Sequence, residues 1–315
     1  MNFRQEVRVL RVRYETSGGP EVLFTEEVAP PTPGPGELLI EARAIGVTLP
    51  MVRKVREADT PGPLGGEVAG TVIAMGPDVT DFTVGDQVTG LCFGHGYSEQ
   101  VLLHHTMASR IPDRATAVEA VALVRSGLVA RGAYEAARAQ PGDTVLITAA
   151  ASAVGSLAVQ YAKAAGAGRV VAAVGDIDKA EFVRGLGADE VVHYADHSWG
   201  EPVDIVLDGV GGELLGPAVR SLAPAGRLVA FSSGGGMIDA YELLARGACA
   251  IGFQMAAIAR GKPEMYARWR DELWELHRAR TVRPRVYAEV PLREAARAHE
   301  MIESRRNLGK VVLVP

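Results

Sequence analysis

The sequence predicts an α/β protein of two domains, a β-rich domain and a doubly wound parallel sheet, and three observations carry that expectation. Up to Leu103 apolar and polar residues alternate with period two between turns rich in glycine and proline, the pattern of strands with one buried face. From about Thr116 to Phe253 short unbroken apolar runs alternate with helical spacing, which is how the βα units of a parallel sheet read. At 315 residues the chain also exceeds the roughly 250 to 300 residues at which a single core stops growing.

Taken in order, VRVLRVRYE, VLFTEEV and LLIEARAIGV read as antiparallel strands around turns at Gly18-Gly19-Pro20 and Pro33-Gly34-Pro35-Gly36. Further strands are expected at Val68 to Met75, Gln87 to Cys92 and Tyr97 to Leu103. A helix follows in TAVEAVALVRSGLVARGAYEAA, then buried strands at 145 to 147, 169 to 174, 191 to 194, 203 to 207 and 226 to 231. Met265, Trp269, Leu273 and Leu276 trace one apolar helical face. A helix from Leu292 to about Glu303 and a strand VVLVP close the chain. That last strand resembles those of the first part, so the C-terminus is expected to return there.

The stretch that organises the rest is Asp143 to Gly166, DTVLITAAASAVGSLAVQYAKAAG. Val145, Leu146 and Ile147 suit a strand buried on both faces. Small residues follow at once, and Val154, Leu157, Ala158, Tyr161, Ala162 and Ala165 then recur at helical spacing. Strand, small-residue turn and helix have the shape of a dinucleotide-binding unit, because a turn with almost no side chain lets a pyrophosphate reach the N–H groups at a helix N-terminus; a buried βα unit that binds nothing is the alternative. As a glycine fingerprint the turn keeps Gly155, with Ala150 and Ser152 in place of the first two glycines. Neither residue type readily takes positive φ, so a path different from the glycine-rich one is expected.

The bulk numbers narrow the classes. Lys and Arg total 33 against 38 Asp and Glu, a formal charge of -5, so no basic excess invites nucleic acid or an anionic membrane. Two cysteines, Cys92 and Cys249, supply neither a disulfide framework nor a four-cysteine zinc lobe, and a reducing cytoplasm fits. The N-terminus lacks the apolar core of a signal peptide, and no run approaches the ~18 apolar residues of a membrane span.

The segments GGPEVL, PGPGELLIEARAIGV, LGGEVAGTVIAMGPDVTDFTVGDQVTGL, GYSEQV, the Asp143 stretch, VDIVLDGVGGELL, GRLVAFSS and ESRRNLGKVVL together resemble the zinc-independent medium-chain dehydrogenase/reductases, the quinone oxidoreductase and zeta-crystallin-like branch. The resemblance implies a GroES-like β-barrel domain, placed at 1–118 and 258–315, and a Rossmann domain at 119–257. Zinc enzymes of the wider family carry a Cys just after the strand near Val47 and a His-Glu pair near Gly66. Here Thr48 and Gly66-Glu67 stand there, so no metal site is expected. An acceptor that takes hydride directly at carbon then fits, either a quinone or an α,β-unsaturated carbonyl, with donors for the developing oxyanion. An enoyl-thioester reductase of a biosynthetic pathway, which LGGEVAG also resembles, and a cofactor-binding member with no redox role are the alternatives.

The resemblance also supplies candidate residues. Where relatives show Asn-x-x-Asp, this chain has Thr48-Leu49-Pro50-Met51. Thr48 is either a donor near the substrate or a buried threonine bonded to backbone. Arg125 replaces a usually apolar residue, offering a guanidinium to an anionic group or standing as an ion-paired helix residue. His95 and Tyr97 fall in a loop that the family places near the cleft mouth. Ser152, Ala153 and Val154 are expected at the pyrophosphate, with Phe231 and Ser232 near the nicotinamide. Asp176, about 20 residues past the turn, argues for NADH. Gly175, Lys179 and Tyr194 align with NADPH-using relatives, and Arg305 adds a second cation. NADPH is the preferred cofactor, with NADH the alternative. ACAIGFQM resembles the strand that pairs across a dimer axis, and a homodimer is expected.

Overall fold

The computed structural model describes residues 7–231 and 234–315. Two compact units arise, one formed by the chain up to Arg125 with Val286–Pro315, the other by Ser126–Arg285.

The first unit begins with β1 (Val9–Arg13) and β2 (Phe24–Val28), an antiparallel ribbon in the register Val9 opposite Val28. Then come β3 (Glu37–Gly46), α1 (Leu49–Glu57), β4 (Gly66–Met75), β5 (Gln87–Cys92), β6 (Gln100–His104) and β7 (Ala108–Arg110). Helix α2 (Ala117–Ala136) runs on into the second unit. Pro50 sits in the first turn of α1, where its missing N–H costs nothing. The period-two reading did not anticipate this helix, because only two of its residues, Val52 and Val55, are buried.

In the second unit the strands are β8 (Thr144–Ile147), β9 (Arg169–Val174), β10 (Glu190–His193), β11 (Val203–Asp208), β12 (Leu222–Ala230) and β13 (Cys249–Gly252). They form one parallel sheet in the order β10-β9-β8-β11-β12-β13. The order turns back at β8, which puts a switch point at the end of that strand, where open α/β sheets bind ligands. Helices α3 (Ala153–Ala164), α4 (Ala180–Arg184), α5 (Leu215–Arg220), α6 (Ala240–Arg246), α7 (Met255–Gly261) and α8 (Pro263–Arg278) complete it. Leu146, Val171, Val206 and Leu228 are wholly buried, as central strands of a covered sheet require.

The chain then returns to the first unit through β14 (Val286–Pro291), α9 (Ala295–Glu303) and β15 (Lys310–Val314). There β15 lies parallel to β14 and antiparallel to β3, within a sheet of order β14-β15-β3-β4-β5-β7 that β6 joins at β3.

The units divide at 125/126 and 285/286, so residues 258–285 pack with the second unit instead of the first. The cause is close helix packing. A Cβ on Gly132 of α2 would lie 2.2 Å from Phe253 and 2.8 Å from Trp269. Arg131 meanwhile donates to Glu272 at 2.8 Å and Glu135 at 2.6 Å. Tyr266 and Trp274 join Trp269 and Leu273 on the buried side of α8, while Met265 and Leu276 are only half-buried.

Candidate active site

In the second unit the turn after β8 is held from three sides. Ala149 takes the left-handed conformation at φ 49° while Ser152 stays at φ -73°. An alanine thus does what was expected to need glycine, at a cost of about 1 kcal/mol. Its carbonyl accepts from the Ser152 N–H at 2.8 Å, and its N–H donates to the Tyr194 hydroxyl at 2.7 Å. Ser152 caps α3, its hydroxyl accepting from the Gly155 N–H at 3.0 Å. Gly155 admits no side chain, because a Cβ would lie 2.1 Å from the Ala149 carbonyl oxygen.

Ala153 and Val154 open α3, where N–H groups have no carbonyl one turn back. Such groups suit a pyrophosphate. At the end of β9, Gly175 lies under the Tyr194 ring, a Cβ there falling 3.1 Å from the ring edge. Tyr194 therefore links the strand tip to the turn, a role invisible in sequence because it joins positions 45 residues apart. Lys179 follows on the same strand-end turn and is half-buried, not an ordinary exposed lysine. Burial pulls its pKa down, and Asp176 pushes it back up. Asp176 itself is exposed and its carboxylate accepts from the Asp178 N–H at 3.0 Å.

Asp208 is structural. Wholly buried at the end of β11, it accepts from the Thr148 hydroxyl at 2.8 Å and from the N–H groups of Val210 and Gly211. Phe231 follows β12 and lies 3.0 Å from where a Gly209 Cβ would stand. Ser232 lies outside the described residues.

A second constellation forms in the first unit. Thr48 precedes α1 in extended backbone and is 7% exposed. Its hydroxyl caps nothing and makes no hydrogen bond among the described residues, so the alternative of a backbone-bonded threonine does not hold. The Val47 N–H donates to the Val311 carbonyl at 3.1 Å, and Gly46 pairs with Val312. That register sets Lys310 opposite Thr48. Lys310 and Glu67 form an ion pair with both side chains 2% exposed. Gly46 makes it possible, because a Cβ there would lie 2.3 Å from Glu67 Cγ. Burial lowers the pKa of Lys310; Glu67 raises it and Arg125 lowers it further. Cys92 is buried and its thiol is pushed up to about 12, chiefly by burial.

The pair was not anticipated from the sequence; its signals are a lone carboxylate in GEVAG and a lone ammonium in GKVVLV, since buried charges need partners. Arg125 is half-buried, within a helix whose Val124 and Ser126 are buried, and no hydrogen bond or ion pair engages it among the described residues. Arg305 stands on an exposed turn at φ 54° after α9.

The loop histidine and tyrosine separate. His95 is exposed at φ 49°, 3.3 Å from Arg11, and burial by its neighbours lowers its pKa. Tyr97 is 0% exposed and hydrogen-bonded to His299 Nε2 at 3.1 Å. It is a core residue.

Comparison with known proteins accords with this arrangement. The alcohol dehydrogenase GroES-like domain family matches residues 34–113, and the zinc-binding dehydrogenase family matches 186–313. In this chain Thr48 and Gly66 occupy the soft-ligand positions and the Glu67 carboxylate is engaged by Lys310. A quinone oxidoreductase of Pseudomonas aeruginosa is 32% identical, covering 97% of this chain and 99% of its own. A 2-haloacrylate reductase of Burkholderia is 30% identical, covering 95% and 96%. A mycobacterial protein solved as a complex with NADPH superposes with a TM-score of 0.91 at 31% identity, covering 97% of this chain and all of the other. The chain, with its GroES-like and Rossmann domains, therefore belongs to the zinc-independent quinone oxidoreductase branch of the medium-chain dehydrogenase/reductases and is an oxidoreductase.

Proposed function

We propose that the chain is an NADPH-dependent reductase of electron-poor acceptors, quinones or α,β-unsaturated carbonyls, acting without a metal. The observation that carries this reading is the strand-end arrangement of Gly175, Lys179 and Tyr194 beside the N-terminus of α3. These residues fit a dinucleotide with a ribose phosphate: N–H groups of Ala153 and Val154 for the pyrophosphate, and a half-buried ammonium for the extra phosphate. Ser152 contributes through its cap. Phe231, Ser232 and Arg305 are the further residues assigned to the cofactor.

When bound, reduced nicotinamide supplies a hydride. The acceptor's oxygen gains negative charge as hydride arrives at its carbon, and the Thr48 hydroxyl, which caps nothing, is the donor assigned to that oxygen in this reading. Arg125, half-buried on α2, is the second residue assigned to the acceptor in this reading. The names of two relatives, a quinone oxidoreductase and a 2-haloacrylate reductase, support an electron-poor acceptor, and the NADPH complex supports this cofactor.

The enzyme acts as a homodimer in this reading. Edge strand β13 leaves one row of backbone groups unpaired, and α6 beside it buries no residue, exposing Tyr241 at 72% and Leu244 at 74%. A second copy is the occupant that such an edge requires.

Fluorescence titration of Lys179→Ala tests the cofactor assignment. NADPH affinity falls by about tenfold or more while NADH affinity holds, as loss of one charge-assisted phosphate contact demands. Equal losses for both nucleotides would overturn the role of Lys179.

A further inference from the structure

We infer that His193 sets the choice of cofactor: its ring holds the Gly175–Asp176 peptide so that the Asp176 carboxylate caps the next turn instead of facing the adenosine ribose, and the strand tip stays open to a ribose phosphate. This rests on the NADPH reading above and adds to it the residue that decides between NADPH and NADH.

The conflict that His193 resolves lies at the end of β9, where the fold places the adenosine ribose. Lys179 suits a phosphate, whereas Asp176 is the acidic residue that would accept from ribose hydroxyls and repel that phosphate. Two groups with opposite preferences thus stand on one turn. Which of them faces the ribose depends on the orientation of the peptide that joins Gly175 to Asp176, and Gly175 has no side chain to restrain it.

His193 supplies the restraint from the neighbouring strand. At the end of β10 it pairs with Val174, and its half-buried ring reaches one residue further, placing Nε2 3.1 Å from the Gly175 carbonyl oxygen. A carbonyl only accepts, so Nε2 carries the proton. Nδ1 is then the acceptor, and it takes the Ala195 N–H at 3.2 Å. With both nitrogens engaged, the ring keeps one tautomer and one orientation. The backbone beneath it is fixed too, because the His193 N–H donates to the Asp196 carboxylate at 2.8 Å and the His193 carbonyl accepts from the Asp196 N–H at 3.0 Å.

The peptide is planar and trans, so a held Gly175 carbonyl turns the Asp176 N–H the opposite way. Asp176 continues in extended backbone at φ -149°. From there its carboxylate accepts from the Asp178 N–H at 3.0 Å and its carbonyl from the Lys179 N–H at 3.2 Å. The carboxylate is thereby engaged by the turn. Tyr194, the next residue after His193, lies over Gly175 and bonds to Ala149, so two adjacent residues fix the strand tip and the pyrophosphate turn together.

The test is fluorescence titration of the full-length protein with NADPH and with NADH. In His193→Leu the turn is released and the Asp176 carboxylate is free to face the ribose. NADPH affinity then falls by about tenfold while NADH affinity holds, the effect of one carboxylate beside a phosphate. His193→Gln, whose side-chain N–H reaches the same carbonyl, keeps the wild-type preference. Adding Asp176→Asn to His193→Leu restores NADPH affinity, because asparagine still caps the turn without the charge. Equal losses for both nucleotides in His193→Leu, an unchanged preference, or a loss that persists in the double variant would overturn the inference. Wild type and Lys179→Ala separate it from the reading beneath it. A wild type with no preference for NADPH sinks the cofactor reading itself; a preference that Lys179→Ala loses and His193→Leu keeps leaves that reading standing and sinks the role of His193.

Discussion

Lys310 and Glu67 show how one residue type in an apolar strand constrains several others. Each side chain is 2% exposed, so either charge without the other would face a low-dielectric interior. Lys310→Met is expected to destabilise the protein by about 3–5 kcal/mol, because it leaves the Glu67 carboxylate buried and unpaired. The double variant Lys310→Met, Glu67→Leu recovers most of the loss, since two apolar side chains leave no buried charge to compensate. Chemical denaturation of wild type and the two variants measures this. A double variant as unstable as the single would mean that the pair is not the reason for the loss. The same residue-level logic applies at Ala149, where the hydrogen bond to Tyr194 and the Ser152 turn hold a backbone conformation that alanine resists.

Among the elements, α9 is tied to the first unit by a buried histidine. His299 is 1% exposed, bonded to Tyr97, and its pKa is lowered to about 4, chiefly by burial. In the unfolded chain the ring takes up a proton as pH falls below about 6.5, while in the fold it resists until about 4. The unfolded state binds more protons in that window, so stability is complete above it and drains away as pH drops. Between pH 7 and pH 4.5 this one group removes about 2–3 kcal/mol. Urea midpoints across that range are expected to fall less in His299→Gln than in wild type, and parallel curves would contradict the assignment.

Elements also show what a sequence carries and what it does not. β9 matches its expected span of 169–174 because Val170 to Val174 is an unbroken apolar run, and β5 matches its span of Gln87 to Cys92, a strand bounded by turn residues on both sides. Helix α1 was missed because only two of its residues are buried. The 258–285 segment was placed in the wrong unit because its partners, Gly127 and Gly132 of α2, reveal their packing only in three dimensions. Of the candidate site, the turn and its helix were readable from local pattern. The Tyr194 to Ala149 bond and the Glu67 to Lys310 pair were not, since each spans tens to hundreds of residues.

At the scale of the whole molecule the proposed homodimer rests on β13, the last strand of the parallel sheet. Ala250 is exposed on that strand, and Met237, before α6, is 92% exposed. Light scattering is expected to give twice the 33.3 kDa chain mass, and Ala250→Asp is expected to return it to the single-chain mass by placing a charge where two strands meet. A wild-type monomer at micromolar concentration would contradict the proposed dimer. The claim on which everything else depends is hydride transfer from NADPH to an electrophilic carbon. The direct measurement is NADPH oxidation, followed by absorbance, with the purified chain and a panel of quinones, enones and conjugated acids. Turnover on at least one acceptor, reduced by about tenfold or more in Thr48→Val with NADPH affinity unchanged, is the predicted result. Tight NADPH binding with no turnover on any acceptor class would contradict the reductase account.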